Sequence, residues 1–264
     1  MTASAIAVGV PLFLYVLARL FPYKPSHKST STVSLSELRE KYTKWELASV
    51  LPFFLTSFLG GYLLFAALNW TARHLTPESS GARWLMLPGQ YFFMIPAIFL
   101  GLAIGGLVTD LLYRFMLGAE RYAEFNLYGQ LKAGFDTRRV RNFLFAILII
   151  PSSLVTYLAM DCYAKFTDDK MIINAFWGVG ESTHAYSDIT RIDSIARIKA
   201  PNGDIVERPH YLIHFNDGYV WSSKNILYRI DEDPRVNSEK EKEVIQFLAN
   251  KSGKQIETHD LLTE

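Results

Sequence analysis

Residues 143–174 read FLFAILIIPSSLVTYLAMDCYAKFTDDKMIIN, and the hydrophobic pattern changes within this stretch. Residues 143–160 are apolar or small and carry no charge, and they are long enough to cross the hydrocarbon core of a bilayer as a helix. After Met160 the apolar runs become short and are separated by turn residues, which is typical of β-strands. The stretch therefore predicts a boundary between a membrane domain and a β domain.

Three more long apolar stretches precede this boundary. The predicted transmembrane helices are residues 3–21, 48–68, 90–116 and 143–160, each to within a few residues. No charge lies near their centres, and aromatic residues such as Trp45, Trp70 and Trp84 flank them, as at membrane interfaces. The first stretch lacks a preceding basic residue and a following small-x-small site, which favours an uncleaved helix over a signal peptide. Residues 1–162 are therefore predicted to form a domain of four transmembrane helices.

Glycines in two of the predicted spans match a helix-packing pattern. Gly101 and Gly105 form a GxxxG motif in the third span, and Gly60 and Gly61 are adjacent in the second. Small residues at this spacing let two helix backbones approach closely in a membrane. Composition alone is the alternative explanation.

The connections between the spans have distinct characters. Ser34 or Ser36 is predicted to cap a surface helix that runs into the second span. Residues 70–87 are predicted to be a polar loop. The third predicted helix is expected to continue past the membrane, with a break at residues 129–135 before the fourth span begins.

Residues 163–257 are predicted to form an antiparallel β unit closed by one helix. The strand-like segments are YAKFT, KMIINAFW, ESTHAY, TRIDSIARIKA, HYLIHF and YVWSSKNIL, starting at residues 163, 170, 181, 190, 210 and 219. Ser238 is predicted to cap the helix, and Gly253 is predicted to end it. Residues 258–264 are predicted to be a tail.

The β unit of residues 163–257 resembles the bacterial pleckstrin-homology-like (PH-like) domain that is fused to membrane helices. The residues that carry this resemblance are FTDD at 166–169, YSDI at 186–189 with Ile192, HFNDG at 214–218 and KSG at 251–253. It implies a partly open β barrel capped by the helix and a binding or assembly role. Some relatives bind inositol phosphates through an early basic loop, but residues 176–183 contain Glu181 and no Lys or Arg, which argues against this ligand.

A basic run directly before the fourth span is interpreted as a topology signal. It contains Lys132, Arg138, Arg139 and Arg141, whereas nucleic-acid binding requires an extended basic face. Connections 22–47 and 117–141 are rich in Lys and Arg, which predicts that both are cytoplasmic. Anionic lipid headgroups of that leaflet are expected to bind the basic run. With four spans, the PH-like β unit then lies outside the cytoplasmic membrane. A re-entrant fourth stretch at Pro151 is the alternative and would return the tail inside.

Candidate chemistry is sparse. Asp110 and Arg114 have the spacing of a helical ion pair at the end of the third span. The sequence has one cysteine and no HExxH, so His184, His210 and His214 are interpreted as structural and no metal is expected. Because no catalytic or phosphate-binding motif occurs, we expect neither an enzyme nor a cofactor.

The sequence therefore predicts an integral membrane protein whose PH-like tail binds a protein or promotes assembly, with a second copy of the chain as one candidate partner. A small-solute transporter or channel component is the alternative. It would require polar residues at mid-membrane, where the spans offer mostly Ser, Thr and Gly.

Overall fold

The computed structural model describes residues 12, 15–23, 34–74, 81–178, 180–200, 202–224, 228–231 and 233–262. Most of the first predicted span lies outside these residues, although residues 15–20 are helical. The chain divides into a helical unit, residues 1–66 and 96–154, and a β unit, residues 67–95 and 155–264. The β unit therefore begins before the third span and not at residue 163.

Within the described residues, three long helices are apolar enough to cross a membrane, and they contain the second and fourth predicted spans and most of the third. Their bounds are α1, Leu35–His74; α2, Met94–Ala133; and α3, Thr137–Met160. Ser34 caps α1 as predicted, since its hydroxyl accepts a hydrogen bond from the Glu37 amide and the Glu37 carboxylate accepts one from the Ser34 amide. Pro52 and Pro151 lie inside α1 and α3.

Helix α2 continues past the third span, as predicted, but it has a kink at Gly118. Gly118 interrupts it with φ 73° and ψ 168°, a conformation that only glycine adopts without strain. The hydroxyl of Tyr122 consequently donates to the carboxylate of Asp110, although 12 residues of straight helix would separate the two by about 18 Å. Residues 119–133 thus turn back beside the end of the third span, and the break predicted at residues 129–135 lies at Gly134.

Close packing of α1 on α2 explains the glycine pattern. A Cβ atom on Gly101 would lie 2.7 Å from the Cα of Gly61 and 2.7 Å from the carbonyl oxygen of Ser57. A Cβ atom on Gly105 would lie 2.8 Å from the carbonyl oxygen of Phe53. The GxxxG motif is therefore a helix contact and not a consequence of composition alone.

The described part of the β unit contains two sheets that pack with a helix. The strands are β1, Trp84–Pro88; β2, Tyr163–Phe166; β3, Lys170–Asn174; β4, Glu181–Ala185; β5, Ile189–Lys199; β6, Ile205–Phe215; β7, Val220–Ser222; β8, Tyr228–Arg229; and β9, Ile256–Leu262. One sheet has the order β4-β3-β2-β1-β8, and the other has the order β7-β6-β5-β9. Helix α4 spans Pro234–Ser252.

Both sheets and α4 contribute to one apolar core. Alternation along each strand points one set of side chains inward. Phe166, Ile173, Ile192 and Ile213 from the strands and Leu248 from α4 are each at most 1% exposed. This core confirms an α+β unit built largely from antiparallel strands.

Three strands, β1, β8 and β9, were missed by sequence reasoning. β1 falls in the predicted polar loop 70–87 and pairs antiparallel with β2, so Trp84 packs on Phe247 of α4 instead of lying in an interfacial belt. β9 falls in the predicted tail and pairs parallel with β5, so the second sheet is mixed. The strands that pair with β1 and β9 are distant from them in the sequence.

The predicted C-terminal end of α4 is confirmed, whereas its predicted N-terminal cap is wrong. Gly253 ends the helix in the left-handed conformation with φ 67°, as predicted. The prediction of Ser238 as the N-cap is wrong, because Asp233 accepts from the Arg235 amide at 2.8 Å and Pro234 occupies the first turn. An Asp followed by Pro is a favourable helix start and begins α4 one turn earlier.

Candidate functional site

A cleft of about 920 Å³ opens in the helical unit where α2 folds back at Gly118. Residues from the end of the third span, from the segment 119–130 and from the start of α3 line it. Among them are three arginines and three carboxylates: Arg114, Arg138, Arg141, Asp110, Glu124 and Asp136. Sequence reasoning singled out four of these six residues but did not predict the cleft, which depends on the reversal at Gly118.

Each of the three carboxylates is already engaged. Asp110 accepts hydrogen bonds from Tyr122 and Arg141. Glu124 accepts one from the Tyr42 hydroxyl at 2.7 Å and pairs with Lys41. The third carboxylate, Asp136, caps α3 by accepting the Arg138 and Arg139 amides, both at 3.1 Å.

The predicted ion pair between Asp110 and Arg114 is replaced by another. Asp110 pairs with Arg141 of α3, which the reversal of α2 and the short connection at 134–136 bring beside it. Within the described parts of the chain, Arg114 forms no ion pair with a carboxylate. The i, i+4 spacing makes a pair between Asp110 and Arg114 possible, but Asp110 pairs with Arg141 on another helix.

The predicted basic run divides into paired and unpaired side chains. Lys132 pairs with Glu46 of α1 at 2.7 Å, and Arg139 pairs with Asp136 at 3.2 Å. Arg138 has no carboxylate partner among the residues that the structure describes. The run is therefore not a uniform basic surface, because three of its four cations are partly neutralised inside the protein.

A second, apolar pocket of about 300 Å³ adjoins the cleft. It shares Asp110, Tyr122 and Asn126 with the cleft, and its other walls include Val50, Phe53, Phe54, Gly106 and Phe125. The hydroxyl of Thr109, which also lines this pocket, is buried and has no hydrogen-bond partner in the described chain. Cleft and pocket together form a site with one charged and one apolar end.

The β unit has a separate polar cluster around Asp193 of β5. Its side chain is only 4% exposed and accepts from Arg191 at 3.0 Å and from Nε2 of His214 at 2.8 Å. Nε2 of His259 in β9 lies 3.3 Å from the other carboxylate oxygen. Asp193 thus links three strands, β5, β6 and β9, through charge-assisted hydrogen bonds.

The same cluster contains the residues that could hold a metal ion. One ligand atom each from Asp193, Glu257 and His259 lies within 4.8 Å of the others. Arg191 already donates to Asp193, so metal binding would require this guanidinium to move away. The predicted absence of a metal stays a prediction.

His184, one of the three histidines considered from the sequence, lies outside this cluster. Its ring stacks on Tyr219 with ring centroids 5.1 Å apart.

Tyrosines of the β unit have raised pKa values. Burial, followed by the hydrogen bond to Glu181, raises the pKa of Tyr163 to about 12. Burial also raises the pKa of Tyr186, whose hydroxyl lies 2.6 Å from the carbonyl oxygen of Thr167. Both phenols therefore stay protonated at neutral pH and act as hydrogen-bond donors, not as bases or nucleophiles.

No protein-family model, curated protein or solved structure matches this chain. The resemblance to PH-like domains accordingly stays a prediction that rests on the residues given above.

Proposed function

We propose that this chain is an integral membrane protein of four transmembrane helices whose PH-like β unit is an assembly platform outside the cytoplasmic membrane. The pairing of β1 with β2 carries this proposal. β1 lies between α1 and α2 in the sequence, and β2 follows α3, so segments that flank all three apolar helices take part in one sheet. A sheet built from these segments suits a platform that presents one face to a partner.

The same pairing supports the proposed topology. Paired strands lie on one side of a bilayer, so α2 and α3 together must cross it an even number of times. If α2 crosses, α3 crosses as well, which argues against a re-entrant fourth stretch at Pro151. The cation-rich connection between them is then opposite the β unit, and the positive-inside rule assigns that connection to the cytoplasm.

Carboxy-terminal fusions in bacteria test this topology. We expect a fusion to alkaline phosphatase to be active and a fusion to a fluorescent protein that matures only in the cytoplasm to be dark. Fluorescence with an inactive phosphatase would contradict the external β unit. A fusion of both reporters to the connection, at residue 134, serves as the control and should give the reverse pattern.

Trp177 is a suitable position at which to test the platform. Its side chain is 78% exposed beside Phe176, and exposed tryptophans are enriched where proteins meet partners. We expect a photo-crosslinking residue at position 177 to give a discrete adduct in intact membranes. The same residue in place of Glu239, on the exposed side of α4, is the control and should give none.

The mass of the adduct identifies the partner class. An adduct with twice the mass of the chain would indicate a second copy, and any other discrete mass would indicate a different protein. If position 177 reacts no more than position 239, the platform proposal fails at this surface.

A further inference from the structure

We propose that the cleft and the adjoining pocket of the helical unit bind one phosphate-bearing anionic lipid. In this arrangement Arg114 and Arg138 hold the phosphate, and the start of an acyl chain occupies the apolar pocket. The proposal concerns the helical unit and is independent of the platform function proposed for the β unit.

The charge balance of the cleft favours an anion. Three arginines and three carboxylates line it, but Lys41 and Arg139 from outside the lining also pair with two of those carboxylates. The cleft and its immediate partners therefore contain five cations and three anions. The excess corresponds to Arg114 and Arg138, the two arginines that form no ion pair within the described chain.

Arginine is suited to this ligand. Its planar guanidinium donates two parallel hydrogen bonds to a phosphate group and stays charged at every physiological pH. Arg114 lies at the end of the apolar part of α2, the level at which lipid phosphates meet a transmembrane helix. Arg138 lies in the first turn of α3, beside the same cleft.

The apolar pocket distinguishes a lipid from a soluble phosphate compound. Phe53, Phe54 and Phe125 line it, and Asp110 and Tyr122 are common to both cavities, so a molecule in the cleft has a direct apolar continuation. A soluble phosphate compound would leave this second half of the site unused.

Lipid retention by the full-length chain tests the proposal. Wild-type protein in detergent would be titrated with phosphatidylglycerol or phosphatidylcholine, and bound lipid counted by native mass spectrometry. We expect one phosphatidylglycerol to be retained preferentially. Replacing Arg114 and Arg138 together with Gln should weaken its binding at least about tenfold, since each cation near a headgroup contributes on the order of 1 kcal/mol.

A matched variant separates a specific site from general surface charge. Arg39→Gln with Lys44→Gln removes the same charge from exposed side chains of α1 that do not line the cleft or pair with its carboxylates, and we expect less than about threefold weakening. Thermal unfolding of both double variants checks that they fold. Equal weakening by the two double variants would overturn the proposal.

Competition distinguishes the two sources of phosphate. Inorganic phosphate and glycerol phosphate at millimolar concentration should not displace the retained phosphatidylglycerol. Displacement by either compound would assign the cleft to a soluble phosphate ligand and overturn the lipid assignment.

Discussion

Replacing Gly101 with alanine is expected to destabilise the helical unit by about 2–3 kcal/mol. The new Cβ atom would lie 2.7–2.8 Å from the Cα and N atoms of Gly61 and from the carbonyl oxygen of Ser57. These are backbone atoms, so no side-chain rotation relieves the clash, and α1 and α2 must move apart. Unfolding by sodium dodecyl sulfate in mixed micelles, followed by far-UV circular dichroism, measures the loss of helix stability.

Two other glycines are controls for this substitution. A Cβ atom on Gly129 would meet nothing closer than 4.0 Å, so Gly129→Ala should be neutral or stabilising by about 0.5–1 kcal/mol from backbone entropy. A Cβ atom on Gly60 would lie 3.1 Å from a methyl group of Ile104, a side chain that can shift, so an intermediate cost is expected. Wild-type stability for Gly101→Ala would refute the close approach of α1 and α2.

Replacing Met86 with aspartate is expected to unfold the β unit or to cost more than about 4 kcal/mol. Met86 is 2% exposed and packs in the core formed with residues 162–248, although it precedes α2 in the chain. The substitution would bury an unpaired carboxylate among apolar side chains. Resistance of the β unit to limited proteolysis, compared across temperatures, measures the effect without assuming that the two units unfold together.

The interpretation of that result depends on two further variants. Met86→Leu nearly preserves volume and apolar character and should cost less than about 1.5 kcal/mol. Thr183→Asp introduces the same charge at an exposed position of the edge strand β4 and should cost less than about 1 kcal/mol. If Met86→Asp is no worse than Thr183→Asp, β1 does not belong to the core of the β unit.

The helical unit shows how tertiary contacts choose among the options that a sequence allows. Asp110 has one cation four residues away on its own helix, yet it pairs with Arg141 of α3 and with Tyr122 beyond the kink. Arg114 is thereby left facing the cleft. Local spacing states which pairs are geometrically possible, whereas packing of separate helices decides which of them form.

Local patterns determined a large part of this protein. The three apolar helices, the strand segments of residues 163–222, the cap at Ser34 and the end of α4 at Gly253 all follow from signals within a few residues of each other. Burial periodicity and backbone capping act over one or two turns of helix or along a single strand. These helices, strand segments and helix ends can therefore be predicted from the sequence alone.

Only the tertiary structure decided the rest. β1 and β9 become strands because β2 and β5, far away in the chain, offer hydrogen bonds and an apolar face. The reversal at Gly118 likewise depends on partners that residues 119–133 find on α1, such as the stacking of Tyr128 on Tyr42. The cleft with Arg114 and Arg138 exists because of this reversal. Contacts between distant segments set all of these features, and no local pattern encodes which segments meet.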